Sequence, residues 1–173
     1  MTGPGGDAMV TMWSSGVVTL LGLCLVAVAA CAQSSSVPQG GVAVPMQRIL
    51  SGQDSGFEQP CRDVIKTAAE WQPVGEKLRR GREYAGPIPA PDFGRSMVIV
   101  AAMGTQSTGG YAIAIENVYR ATGRLWVVVR ETRPDPGGMT TQVLTAPVDV
   151  VSVPRSEEPV SFVAGKEAPG CRS

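Results

Sequence analysis

A solid apolar run, Met97 to Met103, enters the uncharged loop Gly104 to Tyr111, and this pattern constrains the fold more than any other stretch. The run is short for a helix and suits a strand that is buried on both faces. Beyond the loop, isoleucine and alanine alternate with the period of two that is typical of a strand. The sequence therefore predicts a hairpin, in which Gly109 and Gly110 supply the positive φ angles of the turn.

The same loop has the outline of a phosphate-binding P-loop, because Gly104 is followed by four residues and then Gly109. A P-loop also requires Lys and then Ser or Thr after its second glycine, and it opens a helix whose N-terminus faces the phosphates. Gly110 and Tyr111 occupy those two positions, and a strand pattern follows them. We therefore expect no nucleotide at this loop and no cofactor elsewhere.

The overall composition agrees with short strands joined by turns. The chain of 173 residues contains 21 Gly and 14 Pro, which is high for a helical bundle. Apolar stretches predict further strands at residues 44–50, 125–129, 148–153 and 160–163. We expect an α+β domain, with a small antiparallel β-sheet or partial sandwich and one N-terminal helix packed on it.

The helix is predicted from a capping box, in which Thr67 accepts from the backbone of Glu70 and the Glu70 carboxylate reaches back. Pro73 lies inside the pattern and is expected to kink the helix or split it. Trp71 and Trp126 are interpreted as core residues where the helix packs on the sheet, rather than as ligand platforms.

Residues 1–30 are predicted to be a signal peptide of the lipoprotein type. A long apolar run ends in Val28-Ala-Ala-Cys31, which resembles a bacterial lipobox, so Cys31 is the expected lipidation site. The alternatives are an uncleaved anchor, or cleavage after Ala30 without lipid. Residues 31–43 are small and polar and predict a flexible tether, followed by a single domain over residues 44–173. The expected location is the bacterial cell envelope, with the lipid anchored in the outer membrane on its periplasmic or surface side.

Two cysteines, Cys61 and Cys171, stay in the mature domain. In an exported protein such a pair predicts one disulfide, and the alternative is two free thiols.

Catalysis and nucleic-acid binding have little support in the sequence. There is no histidine, which removes the usual general base and the commonest metal ligand, and the formal net charge is zero. Candidates for a hydrolase are Ser107 with a lysine, or the carboxylates Asp92, Glu116 and Asp149. Scattered acidic residues are normally surface residues. We therefore expect no catalytic residue, no metal site and no nucleic-acid partner.

Several short motifs together resemble the PrcB C-terminal family, which is named for a lipoprotein subunit of a spirochaete surface protease complex. The matching pieces lie between residues 64 and 163, and Thr108-Gly-Gly-Tyr111 is the most specific of them. The others are Val64-Ile-Lys-Thr67, Glu70-Trp71, Asp92-Phe93, Met97-Val-Ile-Val100, Gly104, Leu125 to Val129, Thr145-Ala-Pro147, Val148-Asp-Val-Val151 and Val153-Pro154. The resemblance implies a non-catalytic exported protein that binds or stabilises a partner, such as a protease or another envelope protein.

Within that interpretation, Thr108, Gly109, Gly110 and Tyr111 are the candidate partner-binding residues. The same turn is similar to a loop of chagasin-like protease inhibitors, so inhibition of a protease is the alternative function. A second route to a partner is the edge of the strand at Leu125 to Val129, which is predicted to pair with a strand of another chain.

Overall fold

The computed structural model describes residues 40–81, 88–163 and 169–172. The predicted signal peptide, Cys31 and most of the predicted tether lie outside the described residues. The last two residues assigned to the tether, Val42–Ala43, form a short strand that pairs with Tyr119 and Arg120. The folded part of the chain therefore includes these two residues.

The described residues form eight strands and one helix. Their bounds are β1 Val42–Ala43, β2 Gln47–Gly52, β3 Pro60–Ile65, α1 Ala68–Arg80, β4 Ser96–Met103, β5 Ala112–Ala121, β6 Arg124–Thr132, β7 Val148–Pro154 and β8 Val160–Val163. One four-stranded sheet, the central sheet, has the order β2-β7-β4-β3 and is antiparallel throughout. The other, the outer sheet, has the order β1-β5-β6-β8, in which β6 and β8 are parallel.

The central sheet is apolar on both faces because it has a neighbour on each side. One face of β4 joins a core cluster that also contains Trp71, Val74 and Leu78 of α1. The opposite face, with Met97 and Ile99, joins a second cluster with the inward residues of β5 and β6. The prediction that this run is buried on both faces is confirmed. The fold is α+β with two sheets, so of the two predicted forms, a small sheet or a partial sandwich, the single sheet is wrong.

The predicted hairpin at residues 104–111 is wrong. β4 belongs to the central sheet and β5 to the outer sheet, so the loop between them crosses from one sheet to the other. The local pattern of strand, turn and strand is the same in both cases, because periodicity does not say which strands pair.

The predicted free edge at Leu125 to Val129 is also wrong. These residues lie in β6, which pairs with β5 on one side, while Leu125 to Val128 pair with β8 on the other. Trp126 faces away from the core and is half-buried, with its indole N–H donating to the Ala121 carbonyl oxygen at 3.2 Å. Of the two tryptophans, Trp71 is a core residue and Trp126 is not.

The capping box at the start of α1 forms almost as predicted. The Thr67 hydroxyl accepts from the Glu70 amide at 3.2 Å, while the Glu70 carboxylate accepts from the Lys66 amide at 2.8 Å. This amide hydrogen bond, together with the Arg172 charge, lowers the pKa of Glu70 below its usual value. The helix is not split at Pro73, since it continues to Arg80.

The C-terminal residues 169–172 are fixed against the edge of the central sheet. Cys61 and Cys171 form a disulfide with a Cα–Cα distance of 5.0 Å, as predicted. The Asp63 carboxylate accepts from the Cys171 amide and from the Arg172 guanidinium, at 3.2 and 2.8 Å. The Arg62 amide of β3 donates to the Pro169 carbonyl oxygen, which covers an edge that would otherwise be open to other strands.

A buried carboxylate, Asp149 of β7, connects the two sheets. It accepts two hydrogen bonds from Arg48 of β2, at 2.8 and 3.0 Å, and one from the Ile115 amide of β5, at 2.7 Å. Arg48 also donates to the Ile115 carbonyl oxygen at 3.0 Å. Because β1 ends before it reaches this part of β5, the Arg48–Asp149 pair takes the place of a neighbouring strand at Ile115.

Replacing the buried carboxylate tests this connection. Asp149→Asn keeps the shape of the side chain and removes the charge that pairs with Arg48. The Asp149 side chain is fully buried, whereas the Arg48 side chain is 47% exposed. We expect a loss of about 2–4 kcal/mol of unfolding free energy, below the full cost of breaking a buried pair because Arg48 can rehydrate. Urea unfolding measures it. The control, Glu116→Gln in the surface pair with Arg130, should cost less than about 1 kcal/mol; equal losses would show that Asp149 has no special role.

Candidate functional site

The two crossovers between the sheets lie side by side at one end of the domain, which we call the loop end. Residues 104–111 lead from β4 to β5, and residues 133–147 lead back from β6 to β7. They meet because Ala112 pairs with Thr132 in the outer sheet, while the Met103 amide donates to the Pro147 carbonyl oxygen beside the central sheet. Sequence motifs that are far apart in the chain are therefore neighbours here.

Hydrogen bonds hold the two crossovers together along their length. Gln106 and Thr145 exchange both backbone hydrogen bonds, at 2.7 and 3.0 Å. The Gly109 amide donates to the Thr141 carbonyl oxygen at 2.9 Å. The Thr145 hydroxyl donates to the Thr108 carbonyl oxygen at 3.0 Å. The segment around Thr141 and Thr145 therefore has a fixed path over the shorter crossover.

The four predicted partner-binding residues lie at the loop end, but most of them are covered. Thr108 and Tyr111 are half-buried, and the Tyr111 ring packs against the core between the sheets. Gly109 is buried, and a Cβ atom at this position would overlap the Thr141 hydroxyl. Gly110 is exposed and has a φ of +88°. The Thr-Gly-Gly-Tyr turn thus supports the longer crossover, and only part of it reaches the surface.

The prediction of positive φ at both turn glycines is correct for Gly110 alone. The second left-handed glycine of the loop is Gly104, with a φ of +72°. Gly109 has a different requirement, which is the close approach of Thr141.

Sequence reasoning missed the exposed large apolar side chains of the loop end. Met139, Val143 and Leu144 have relative exposures of 104%, 61% and 70%. An apolar residue in a mostly-β chain is assigned to the core by default, so these three gave no separate signal. The available signal was charge, since no charged residue occurs between Asp135 and Asp149.

The residues considered for catalysis have other contacts. Asp149 pairs with Arg48, Glu116 pairs with Arg130, and Asp92 accepts from the Gly94 amide in a turn. Lys66 pairs with Glu157, and Lys77 donates to the Cys171 carbonyl oxygen. Neither of these contacts places a lysine beside Ser107.

Within residues 40–81, 88–163 and 169–172, no group of three or more cysteine and acidic side chains is placed to hold a metal ion. No helix there has the length and apolar character that crossing a membrane requires.

Comparison with known protein families identifies a match in the middle of the chain. Residues 97–154 match the family described as PrcB C-terminal. No curated protein and no solved structure matches the chain. The resemblance drawn from the motifs is confirmed over residues 97–154, which span β4 to β7 and include both crossovers of the loop end.

Two glycines with similar φ separate the effect of backbone strain from the effect of close packing. Gly104 has a φ of +72°, and an added Cβ would lie 2.7 Å from the backbone of Gln59 and Pro60. Gly123 has a φ of +69° with nothing within 4 Å. Gly123→Ala should cost about 1 kcal/mol for the left-handed backbone, and Gly104→Ala about 1–3 kcal/mol more because the loop must move. Chemical denaturation of both variants measures this difference; equal costs would mean that the crossover does not lie on the Gln59–Pro60 backbone.

Proposed function

Because residues 97–154 match the PrcB C-terminal family, we propose that the chain is a non-catalytic lipoprotein of the bacterial cell envelope that binds another exported protein and stabilises it. The observation that carries this proposal is the loop end. Two crossovers are hydrogen-bonded to each other there, and the longer one exposes three large apolar side chains. The partner class, an exported protease or another envelope protein, follows the family resemblance.

Exposed apolar side chains support a binding role on energetic grounds. Removing apolar surface from water contributes about 25 cal/mol per Å². Clustered exposed apolar residues on a soluble domain commonly mark an interaction site. In the described part of the chain, three of the four exposed large hydrophobic residues belong to one crossover, and the fourth is Val42.

A non-catalytic role is supported by the contacts of the polar residues. The sequence has no histidine. The candidate acids have local partners that account for them, and Asp149 is held between two sheets by Arg48 and Ile115. These groups support the fold, which leaves the loop end as the best candidate for function.

The proposed anchor agrees with the position at which the chain enters the domain. Val42 pairs with Arg120, which lies eight residues along β5 from Ala112, at what we call the far end. At roughly 3.3 Å per residue this is about 26 Å from the loop end. A lipid on Cys31 followed by a flexible tether would therefore hold the domain by the far end and leave the loop end accessible.

Lipidation is tested by metabolic labelling with an alkyne analogue of palmitate. We expect the full chain to incorporate the label, because the sequence before Cys31 resembles a lipobox, and Cys31→Ala to abolish it. Cys24→Ala is the matched control and should keep the label. Incorporation that survives Cys31→Ala would contradict the proposed anchor.

Partner binding is tested by purifying the tagged full chain from its own envelope and identifying the accompanying proteins by mass spectrometry. We expect one exported protein at a constant ratio to the chain. Thr108→Ala should lower its yield, because the substitution removes a partly exposed side chain at the loop end and leaves the backbone bond from Thr145 to residue 108 in place. Thr122→Ala, in the exposed turn between β5 and β6, should not.

The outcome that contradicts the proposal is the absence of any protein that accompanies the folded wild-type chain. A Thr108→Ala variant that loses the partner only because it has unfolded would be recognised by circular dichroism and would not count as support.

A further inference from the structure

The geometry points to Met139–Leu144, which we call the apolar segment, as the part of the chain that enters the partner, and to an uncharged apolar cleft as its receptor. This inference rests on the proposed function and names the chemistry of the partner at the same site. It shifts the main contact from the Thr-Gly-Gly-Tyr turn to the crossover that this turn supports.

Exposure identifies the apolar segment as a projection. Met139 has a relative exposure of 104%, so its side chain has essentially no neighbour within its own domain. Val143 and Leu144 are 61% and 70% exposed. The side chains between Met139 and Val143, from Thr140 to Gln142, are polar and uncharged. The segment therefore presents apolar side chains together with neutral polar ones.

The backbone of the segment is fixed before a partner arrives. The Thr141 carbonyl accepts from the buried Gly109, and Thr145 just beyond the segment is bonded to Gln106 and Thr108. The Gly138 amide donates to the Asp135 carbonyl oxygen at 2.9 Å and closes the turn before it. A segment that is ordered in advance loses little conformational entropy on binding, which favours affinity.

Charge decides the chemistry of the receptor. Residues 136–148 carry no charge, and neither do residues 96–115 of the adjoining strand and crossover. Charged receptor groups facing residues 136–148 would lose their hydration without gaining an ion pair from them, because the exposed charged residues of this crossover, Arg133 and Asp135, precede the uncharged stretch. The complementary surface is therefore apolar and uncharged, and it is concave because the fully exposed Met139 side chain must be enclosed.

Two other occupants fit less well. Loops that dock on bilayers place Lys or Arg beside their apolar tip, whereas the apolar segment contains neither, and Arg133, six residues before it, is followed by the acidic Asp135. A second copy would bring a projecting segment against an identical one, which buries little area. Both are outcomes that the test below can detect.

The test places a photo-crosslinking residue on the full chain in its own envelope. One variant is Leu144→p-benzoylphenylalanine, and the matched control is Val42→p-benzoylphenylalanine, at an apolar side chain that is 69% exposed at the far end. We expect the Leu144 variant to crosslink one exported protein, with the adduct mapped to an apolar cleft, and the Val42 variant not to crosslink it.

Charge substitutions measure how strongly the crosslinked yield depends on the apolar character of the segment. Val143→Asp should lower the crosslinked yield from position 144 at least about tenfold, because an unpaired carboxylate would enter the cleft. Val42→Asp, the same change at the far end, should leave it unchanged. Because Val143 is exposed, both variants should keep the circular dichroism spectrum of the parent, and Val143→Ser provides a milder version.

The outcomes separate this inference from the proposed function. A protein that is captured equally from Val42, or is insensitive to Val143→Asp and Val143→Ser, would overturn the apolar segment while partner binding stands. An adduct of Leu144 with lipid or with a second copy of the chain would overturn the protein cleft. Crosslinking to no protein from Leu144 would overturn the apolar segment, and it would contradict the proposed function only where the affinity purification also recovers no accompanying protein.

Discussion

The arrangement of the two sheets depends on the hydrogen bonds that the Asp149 carboxylate accepts from Arg48 and from the Ile115 amide. This carboxylate is fully buried and is satisfied only when β2 supplies Arg48 and β5 supplies the Ile115 amide. A buried carboxylate without partners is costly, so the three strands must be positioned together. Register shifts occur in β2 next to Arg48 and in β5 next to Ile115, which adapts both strands to this contact. Since β5 and β7 each begin where a crossover ends, the contact also helps to position the loop end.

The sequence predicted those features whose cause is local. The capping box at Thr67 depends on residues three positions apart, and the burial of Met97 to Met103 follows from an uninterrupted apolar run. The Cys61–Cys171 disulfide joins distant residues, and its prediction followed from composition instead, since two cysteines lie beyond the predicted lipidation site Cys31. The pairing of β4 and β5 was predicted wrongly, because which sheet a strand joins is decided by contacts such as Asp149 to Arg48 between distant residues. The exposed Met139, Val143 and Leu144 escaped notice because composition alone cannot distinguish an apolar surface residue from a core residue.

The matched region and the remaining elements make different contributions to the domain. Residues 97–154 contain the middle strands of both sheets and the whole loop end. Elements outside this region cover the central sheet, since α1 packs on one of its faces and residues 169–172 lie along its edge strand β3. This division agrees with a domain whose loop end carries the function while the surrounding elements stabilise it. The glycines of the Thr-Gly-Gly-Tyr turn then matter for the support that they give to the neighbouring crossover.

The proposed binding role requires above all that the loop end is a single fixed surface in the free protein. Amide hydrogen exchange of the isolated domain measures this directly. The amides of Gln106, Gly109 and Thr145 donate to backbone oxygens across the two crossovers, so they should exchange much more slowly than in an unfolded peptide. Exchange of all three at the unprotected rate, while the amides of β4 and β7 stay protected, would show that the crossovers move independently and would contradict the account.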